Sequence, residues 1–222
     1  MKIPIVENIL STNDRLAAEN ERTLEASGVL AVNIMSAPGA GKTSLIGSTI
    51  KALRNHTRIG VIEGDVASRV DADFIESLGV PVVQINTGGT CHLDANMVQL
   101  ALAQLPLNAL DVLLIENVGN LICPTDFALG ETLKVMISSV PEGDDKPYKY
   151  PAMFAVVDAV VVNKVDLVPH VEFGMEGFRK LVEGLNPDVQ FFEVSCRSGE
   201  GVQGWLDWLL SKVTKAPSHS TM

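Results

Sequence analysis

The sequence predicts an α/β protein built on a mostly parallel sheet with helices on both faces. Three observations predict it. Short apolar runs that read as buried strands alternate with segments of helical spacing, the pattern of a parallel sheet with helical crossovers. The first run, residues 30–35 (LAVNIM), leads through a small-residue loop into a helix, so one complete β–α unit is visible outright. The length, 222 residues, suits one such domain with short extensions.

In chain order, residues 5–27 read as a polar helix stopped by Gly28, with Ile5, Ile9, Leu16 and Leu24 on one face. Residues 1–28 are expected to form an N-terminal helical extension lying against the domain, with a docking element for a partner protein as the sharper alternative. The main domain spans 29–214, opening with the strand at 30–35 and a helix at 44–54. Residues 58–63 (RIGVIE) are the second strand, ending in Gly64 and Asp65. A helix at 71–78, a strand at 80–85 and a loop at 87–90 (TGGT) follow. Cys91 and His92 are expected to open the next helix, whose core side carries Leu93, Met97, Ala101 and Leu105. Residues 111–115 (DVLLI) form a strand with Glu116 at its C-terminal end. Further strands fall at 134–140, 159–162 and 189–194, and a last helix carries Val202, Leu206, Leu209 and Val213. Residues 215–222 read as a frayed tail.

Ligands on a parallel sheet sit at the carboxyl ends of its strands, and the chemistry-bearing residues fall there. Residues 36–43 (SAPGAGKT) join strand to helix with Pro38, Gly39, Ala40 and Gly41. Small residues let the backbone wrap a phosphate, and successive N–H groups point inward at the helix start, where Ser44 follows. Lys42 would reach the β- and γ-phosphates, and the Thr43 hydroxyl would hold Mg²⁺. The strict phosphate-loop pattern begins with Gly, and Ser36 stands there instead. An ordinary Gly-rich turn is the alternative, and the strand–loop–helix setting favours the nucleotide.

Asn163, Lys164 and Asp166 follow a strand of Val and Ala. A carboxylate at Asp166 can accept from both N1–H and the 2-amino group of guanine, a pair that adenine lacks. Lys164 can lie along the base, Asn163 can brace the loops, and Ser195 and Cys196 end the next strand where such a site closes. A turn capping a strand is the other use of Asn and Asp here. Mg²⁺ needs further oxygen ligands, for which Asp65 and Glu116 stand at strand ends, though each could instead cap a helix. The Gly119 N–H is positioned to contact a γ-phosphate, which would make residues 116–123 sense GTP against GDP. Cys91, His92 and Cys123 offer two thiolates and an imidazole, a set suited to Zn²⁺ or Ni²⁺, although a lone Cys is more often a small buried hydrophobe.

The segments 37–43 (APGAGKT), 63–65 (EGD), 91–94 (CHLD), 116–124 (ENVGNLICP), 141–147 (PEGDDKP) and 163–166 (NKVD) resemble HypB, the family of GTPases assisting nickel insertion into [NiFe]-hydrogenase. The resemblance covers roughly residues 5–213. It implies a P-loop GTPase of the dimerising (SIMIBI-like) class, with a GTP-dependent homodimer and catalytic Lys42, Thr43 and Glu116. It also implies Zn²⁺ or Ni²⁺ on Cys91, His92 and Cys123, and as partners a HypA-like accessory protein and the hydrogenase large-subunit precursor. Some members carry an N-terminal Cys-rich nickel site or His-rich tract. All three Cys here lie past residue 90 and His numbers four, so N-terminal nickel storage is not expected. The urease accessory GTPases are a related alternative, but their Cys-Pro-His motif differs from Cys91-His92 and from Cys123-Pro124. A metallochaperone with vestigial GTPase activity is another.

The remaining composition is exclusionary. A net charge of −10, from 17 Lys and Arg against 27 Asp and Glu, argues against a nucleic-acid partner. No apolar run is long enough to span a bilayer, and the first residues lack the apolar core of a signal peptide, so a cytoplasmic protein is expected. Three cysteines in such a chain suggest thiols or metal ligands before disulfides.

Overall fold

The computed structural model describes residues 5–66 and 69–213. Seven strands are present among them: β1 (Leu30–Ser36), β2 (Ile59–Asp65), β3 (Val82–Asn86), β4 (Val112–Glu116), β5 (Leu133–Ser139), β6 (Ala159–Asn163) and β7 (Gln190–Glu193). They pair in parallel in the order β3-β2-β4-β1-β5-β6-β7. The helices are α1 (Ile5–Ser27), α2 (Lys42–Leu53), α3 (Val70–Ser77), α4 (Ala95–Leu102), α5 (Lys146–Lys149), α6 (Pro151–Ala155), α7 (Met175–Leu185) and α8 (Val202–Lys212).

Both faces of the sheet are covered, so its inner strands are mostly apolar, and every residue of β1, β4 and β6 is buried. On one face α2 and α8 press Leu45, Ile46, Ile50, Trp205 and Leu209 against Val32, Ile34, Val61 and Val161. Trp205 is fully buried, and its Nε1–H donates to Thr49 Oγ1 at 2.9 Å, which satisfies the indole and ties α8 to α2. The other face holds two cores. One gathers Leu24, Leu93 and Val98 under Ala31, Ile62 and Ile115. The other gathers Phe154, Phe178 and Val182 under Met136, Val160 and Val162.

The alternation of strand and helix is as expected, with strand limits shifted by a residue or two. β3 begins at Val82 because Pro81 has no N–H to give, although its carbonyl accepts from Val61 N at 2.9 Å. Three features differ more. The buried stripe of α1 is Asn13, Ala17, Asn20 and Leu24, whereas Ile9 is half exposed. The side chain of Ile5 lies outside the described residues, as do residues 1–4 and the tail at 214–222. Cys91 and His92 do not open a helix; α4 starts at Ala95, capped by Asp94, whose Oδ1 accepts from Met97 N at 2.8 Å. Between β6 and β7 stands α7, which was not foreseen; a parallel crossover needs it, and it buries Phe178 and Val182.

Candidate functional site

The C-terminal ends of β1, β2, β4 and β6 bring Ser36, Asp65, Glu116 and Asn163 to one edge of the sheet. The loop from β1 to α2 turns through Gly39 at φ 79° and Gly41 at φ 108°, conformations that only glycine adopts without strain. At Gly41 a Cβ would also run into the Asn163 amide. No side chain caps α2, so the N–H groups of its first turn are left to a ligand. Lys42 Nζ rests on Ser36 Oγ at 3.2 Å, so the residue that departs from the strict pattern holds the lysine in place.

Beside this loop lies a cavity of about 280 Å³ lined by Pro38, Gly39, Lys42, Glu63, Asp65 and Asp71, with Glu116 and Gly119 on its far wall. Thr43 Oγ1 donates to Glu116 Oε1 at 2.9 Å. Burial pushes the Glu63 carboxyl up to about 8, assisted by the neighbouring charges of Glu116, Asp65 and Asp71. Burial also pushes Glu116 up to about 7, against the opposing pull of Lys42 and the Thr43 hydrogen bond. One oxygen of each, Glu63 Oε2 and Glu116 Oε2, is buried without a hydrogen-bond partner among the described residues. Two orphaned carboxylate oxygens beside Thr43 and Asp65 fit a hard divalent cation such as Mg²⁺. Glu63 and Asp71 were not singled out beforehand. The available signal was spacing: Glu63 and Asp65 are two apart on one strand and therefore share a face.

The far side of the loop meets β6. Asn163 Nδ2 donates to Ala40 O at 3.0 Å, while its Oδ1 accepts from Lys164 N at 2.8 Å and Cys196 N at 3.2 Å. Lys164, at φ 64° the single non-glycine in left-handed conformation among the described residues, turns its Nζ onto Gly39 O at 2.7 Å. Asp166 lies in the turn Val165–His170 that follows. Ser195 is buried and accepts from Ser198 N at 3.1 Å through its hydroxyl, and burial pushes the Cys196 thiol up to about 11. Asn163, Lys164, Cys196 and the phosphate loop thus form one contiguous surface, with Ser44 in the first turn of α2 beneath it.

Cys91, His92 and Cys123 also come together, their candidate ligand atoms all within 4.8 Å of one another. The two sulfurs stand 3.1 Å apart, and His92 Nδ1 is 3.8 Å from Cys91 Sγ. Partial burial lowers the His92 pKa, which favours the neutral, ligating imidazole. Its ring packs on Phe127 at 4.0 Å between centroids, a neighbour that sequence gave no reason to name. The hydrogen bond from the Cys91 thiol pushes the Cys123 pKa up. The donor set fits a borderline or soft divalent ion.

A glycine-containing loop between a buried parallel strand and a helix, with a lysine and a threonine opening that helix, defines a P-loop nucleotide-binding domain. Comparison with known proteins narrows the class. The family described as CobW/HypB/UreG, nucleotide-binding domain, matches residues 30–193. The hydrogenase maturation factor HypB of Azotobacter chroococcum mcd 1 is 49% identical over 209 residues, covering 93% of this chain and 68% of that one. The crystal structure of HypB from Archaeoglobus fulgidus superposes with a TM-score of 0.87 at 42% identity, covering 92% of this chain and all (100%) of that one. HypB from Helicobacter pylori, solved in complex with nickel, gives a TM-score of 0.87 at 36% identity over 90% of this chain and 94% of its own. The chain belongs to the CobW/HypB/UreG family, on its hydrogenase-maturation branch. Among the described residues no helix is long and apolar enough to cross a membrane.

Proposed function

We propose that the chain is a GTP-hydrolysing switch that handles nickel for [NiFe]-hydrogenase in the cytoplasm. In this reading Asp166 selects guanine, Asn163 and Lys164 brace the base loop against the phosphate loop, and Ser195 and Cys196 close over the base. The backbone of Pro38, Gly39, Ala40 and Gly41, with Ser44, cradles the phosphates. Thr43, Asp65 and Glu116 would hold Mg²⁺, which when bound neutralises charge on the β- and γ-phosphates. A water attacks the γ-phosphorus and the bond to the bridging oxygen breaks, yielding GDP and phosphate. Lys42 stabilises the negative charge that develops, and the chain's main contribution is positioning and electrostatics.

Cys91, His92 and Cys123 would hold Zn²⁺ or take Ni²⁺ as cargo. Three protein ligands leave a position for the group that receives the ion, as a carrier requires. The receivers in this reading are a HypA-like protein and the hydrogenase large-subunit precursor. A GTP-dependent homodimer would bring two equivalent edges together across a two-fold axis.

One observation supports the coupling most directly. Residues 116–123 start at Glu116, in contact with Thr43, line the phosphate cavity at Gly119, and end at Cys123, 3.1 Å from Cys91. A change at the γ-phosphate therefore acts on the chain segment that carries a metal ligand. Linkage requires that metal and GTP alter each other's affinity by the same factor. The test titrates Ni²⁺ and Zn²⁺ into wild type and Cys123→Ala, each loaded with GDP or with a slowly hydrolysed GTP analogue. Different wild-type affinities in the two states, and a large loss in the variant, are expected. Identical affinities would refute the switch, and undiminished binding by Cys123→Ala would refute the ligand set.

A further inference from the structure

Residues 117–120 touch the phosphate loop on one side and the metal loop on the other. A Cβ at Gly119 would stand 3.0 Å from both Pro38 Cα and Pro38 N, so the segment lies backbone against backbone on the phosphate loop. Asn117, fully buried, accepts through Oδ1 from Leu93 N at 3.1 Å and from Val118 N at 2.9 Å. Its Nδ2 donates to Asn33 Oδ1 at 3.1 Å, and Asn33 donates on to Glu131 Oε1 at 3.1 Å, which fixes the amide orientation. Asn120, half-buried, donates through Nδ2 to Cys91 O at 3.2 Å and accepts through Oδ1 from Ile122 N at 2.9 Å. The two carboxamides flank Gly119. Each binds one N–H of its own segment and one backbone group of the loop carrying Cys91 and His92. A carboxamide donates and accepts at once; a carboxylate at position 120 could not donate to Cys91 O, and an apolar residue at 117 would orphan the buried Leu93 N–H.

We propose that Asn117 and Asn120 are positioning residues that hitch the Cys91–His92 loop to the nucleotide-facing segment. A shift at Gly119 then displaces all three metal ligands, two through these amides and Cys123 through the main chain. Without them, only Cys123 would respond to the nucleotide. The proposal rests on the switch reading above, and supplies its second arm.

The test uses hydrogen exchange on metal-free protein bound to GDP or to the GTP analogue. In wild type, peptides covering 118–122 and 91–93 should both change between the two nucleotides. In Asn120→Ala the change at 118–122 should persist while that at 91–93 falls at least threefold. Asn117→Ser is the second variant, in case the buried site tolerates change poorly. In Asn120→Ala the ratio of Zn²⁺ affinities between nucleotide states should move toward one, with the GDP-state affinity held within about twofold. A wild type in which 118–122 responds and 91–93 does not would overturn the hitch and leave the switch intact. A wild type in which neither responds would overturn the switch and the hitch with it. An unaltered 91–93 response in both variants, or an equal loss of metal affinity in both nucleotide states, would show a merely structural role and overturn the proposal.

Discussion

Replacing Glu63 with Gln should change the pH dependence of stability in the metal-free, nucleotide-free protein. Glu63 is 1% exposed, and burial, which penalises the charge, pushes its carboxyl up from the ordinary 4.5 to about 8. The sign follows from proton counting. Between these two values the folded chain holds a proton that the unfolded chain has released, so stability falls as pH rises from the unfolded value through the folded one. Each unit of difference is worth about 1.36 kcal/mol, and from about pH 6 to about pH 9 Glu63 alone removes about 2.5 kcal/mol. Glu116, raised to about 7, removes about 1.5 kcal/mol over the same interval. Wild type should thus lose about 4 kcal/mol, and Glu63→Gln, which keeps the shape without the charge, about 1.5 kcal/mol. Urea unfolding at the two pH values, with chelator and no nucleotide, reads both differences directly. Parallel profiles for the two proteins would refute the assignment of a burial-raised proton to Glu63.

Asp166→Asn should lose most GTP affinity and gain relative affinity for xanthine nucleotides, whose 2-oxo group accepts where guanine donates; equal GTP binding in a competition assay would remove Asp166 from base recognition. Lys42→Ala should stay folded by circular dichroism yet lose nearly all GTP turnover, and unchanged turnover would take the phosphate loop out of the mechanism. Gly119→Ala forces a methyl to 3.0 Å from Pro38 backbone atoms, so it should weaken binding of the GTP analogue about tenfold more than binding of GDP; equal effects on both nucleotides would deny Gly119 a γ-phosphate role.

The parts of this molecule that follow from local chemistry were legible in advance. Gly39 and Gly41 adopt the positive φ that a tight phosphate loop demands, and the strand preceding them is buried as its largely apolar run predicts. Asn163, at the end of β6, ties the phosphate loop to the loop that follows β7, the bracing contact that its residue type at a strand end allowed for. The misses share one cause, which is that a polar residue's partner is invisible until the fold brings it near. The core face expected of α1, Ile5, Ile9, Leu16 and Leu24, does not include Asn13 and Asn20. They are buried because Asn20 Nδ2 donates to Ala95 O and Leu129 O, and Asn13 takes the Ala95 N–H and donates to Ala128 O. The start of α4 was misplaced by helical spacing that extends past Asp94, whose cap overrides it.

The grouping of Cys91, His92 and Cys123 shows the same limit from the other direction. Cys91 lies beyond β3 and Cys123 beyond β4, strands separated in the sheet by β2 alone. Only the parallel pairing of β2 with both neighbours sends the two loops out at the same edge. Residue types alone leave two thiols and an imidazole as three ordinary side chains; the strand order brings them together, with the sulfurs 3.1 Å apart. The same strand order sets Asn117 directly after β4, where its amide reaches Asn33 in β1 and the Leu93 N–H at once. Glu116, one place earlier and the last residue of β4, instead accepts from Thr43 Oγ1 at 2.9 Å. Glu116 thus bonds to the helix that follows the phosphate loop and Asn117 to the loop that follows Cys91 and His92, so one strand terminus joins the two candidate sites.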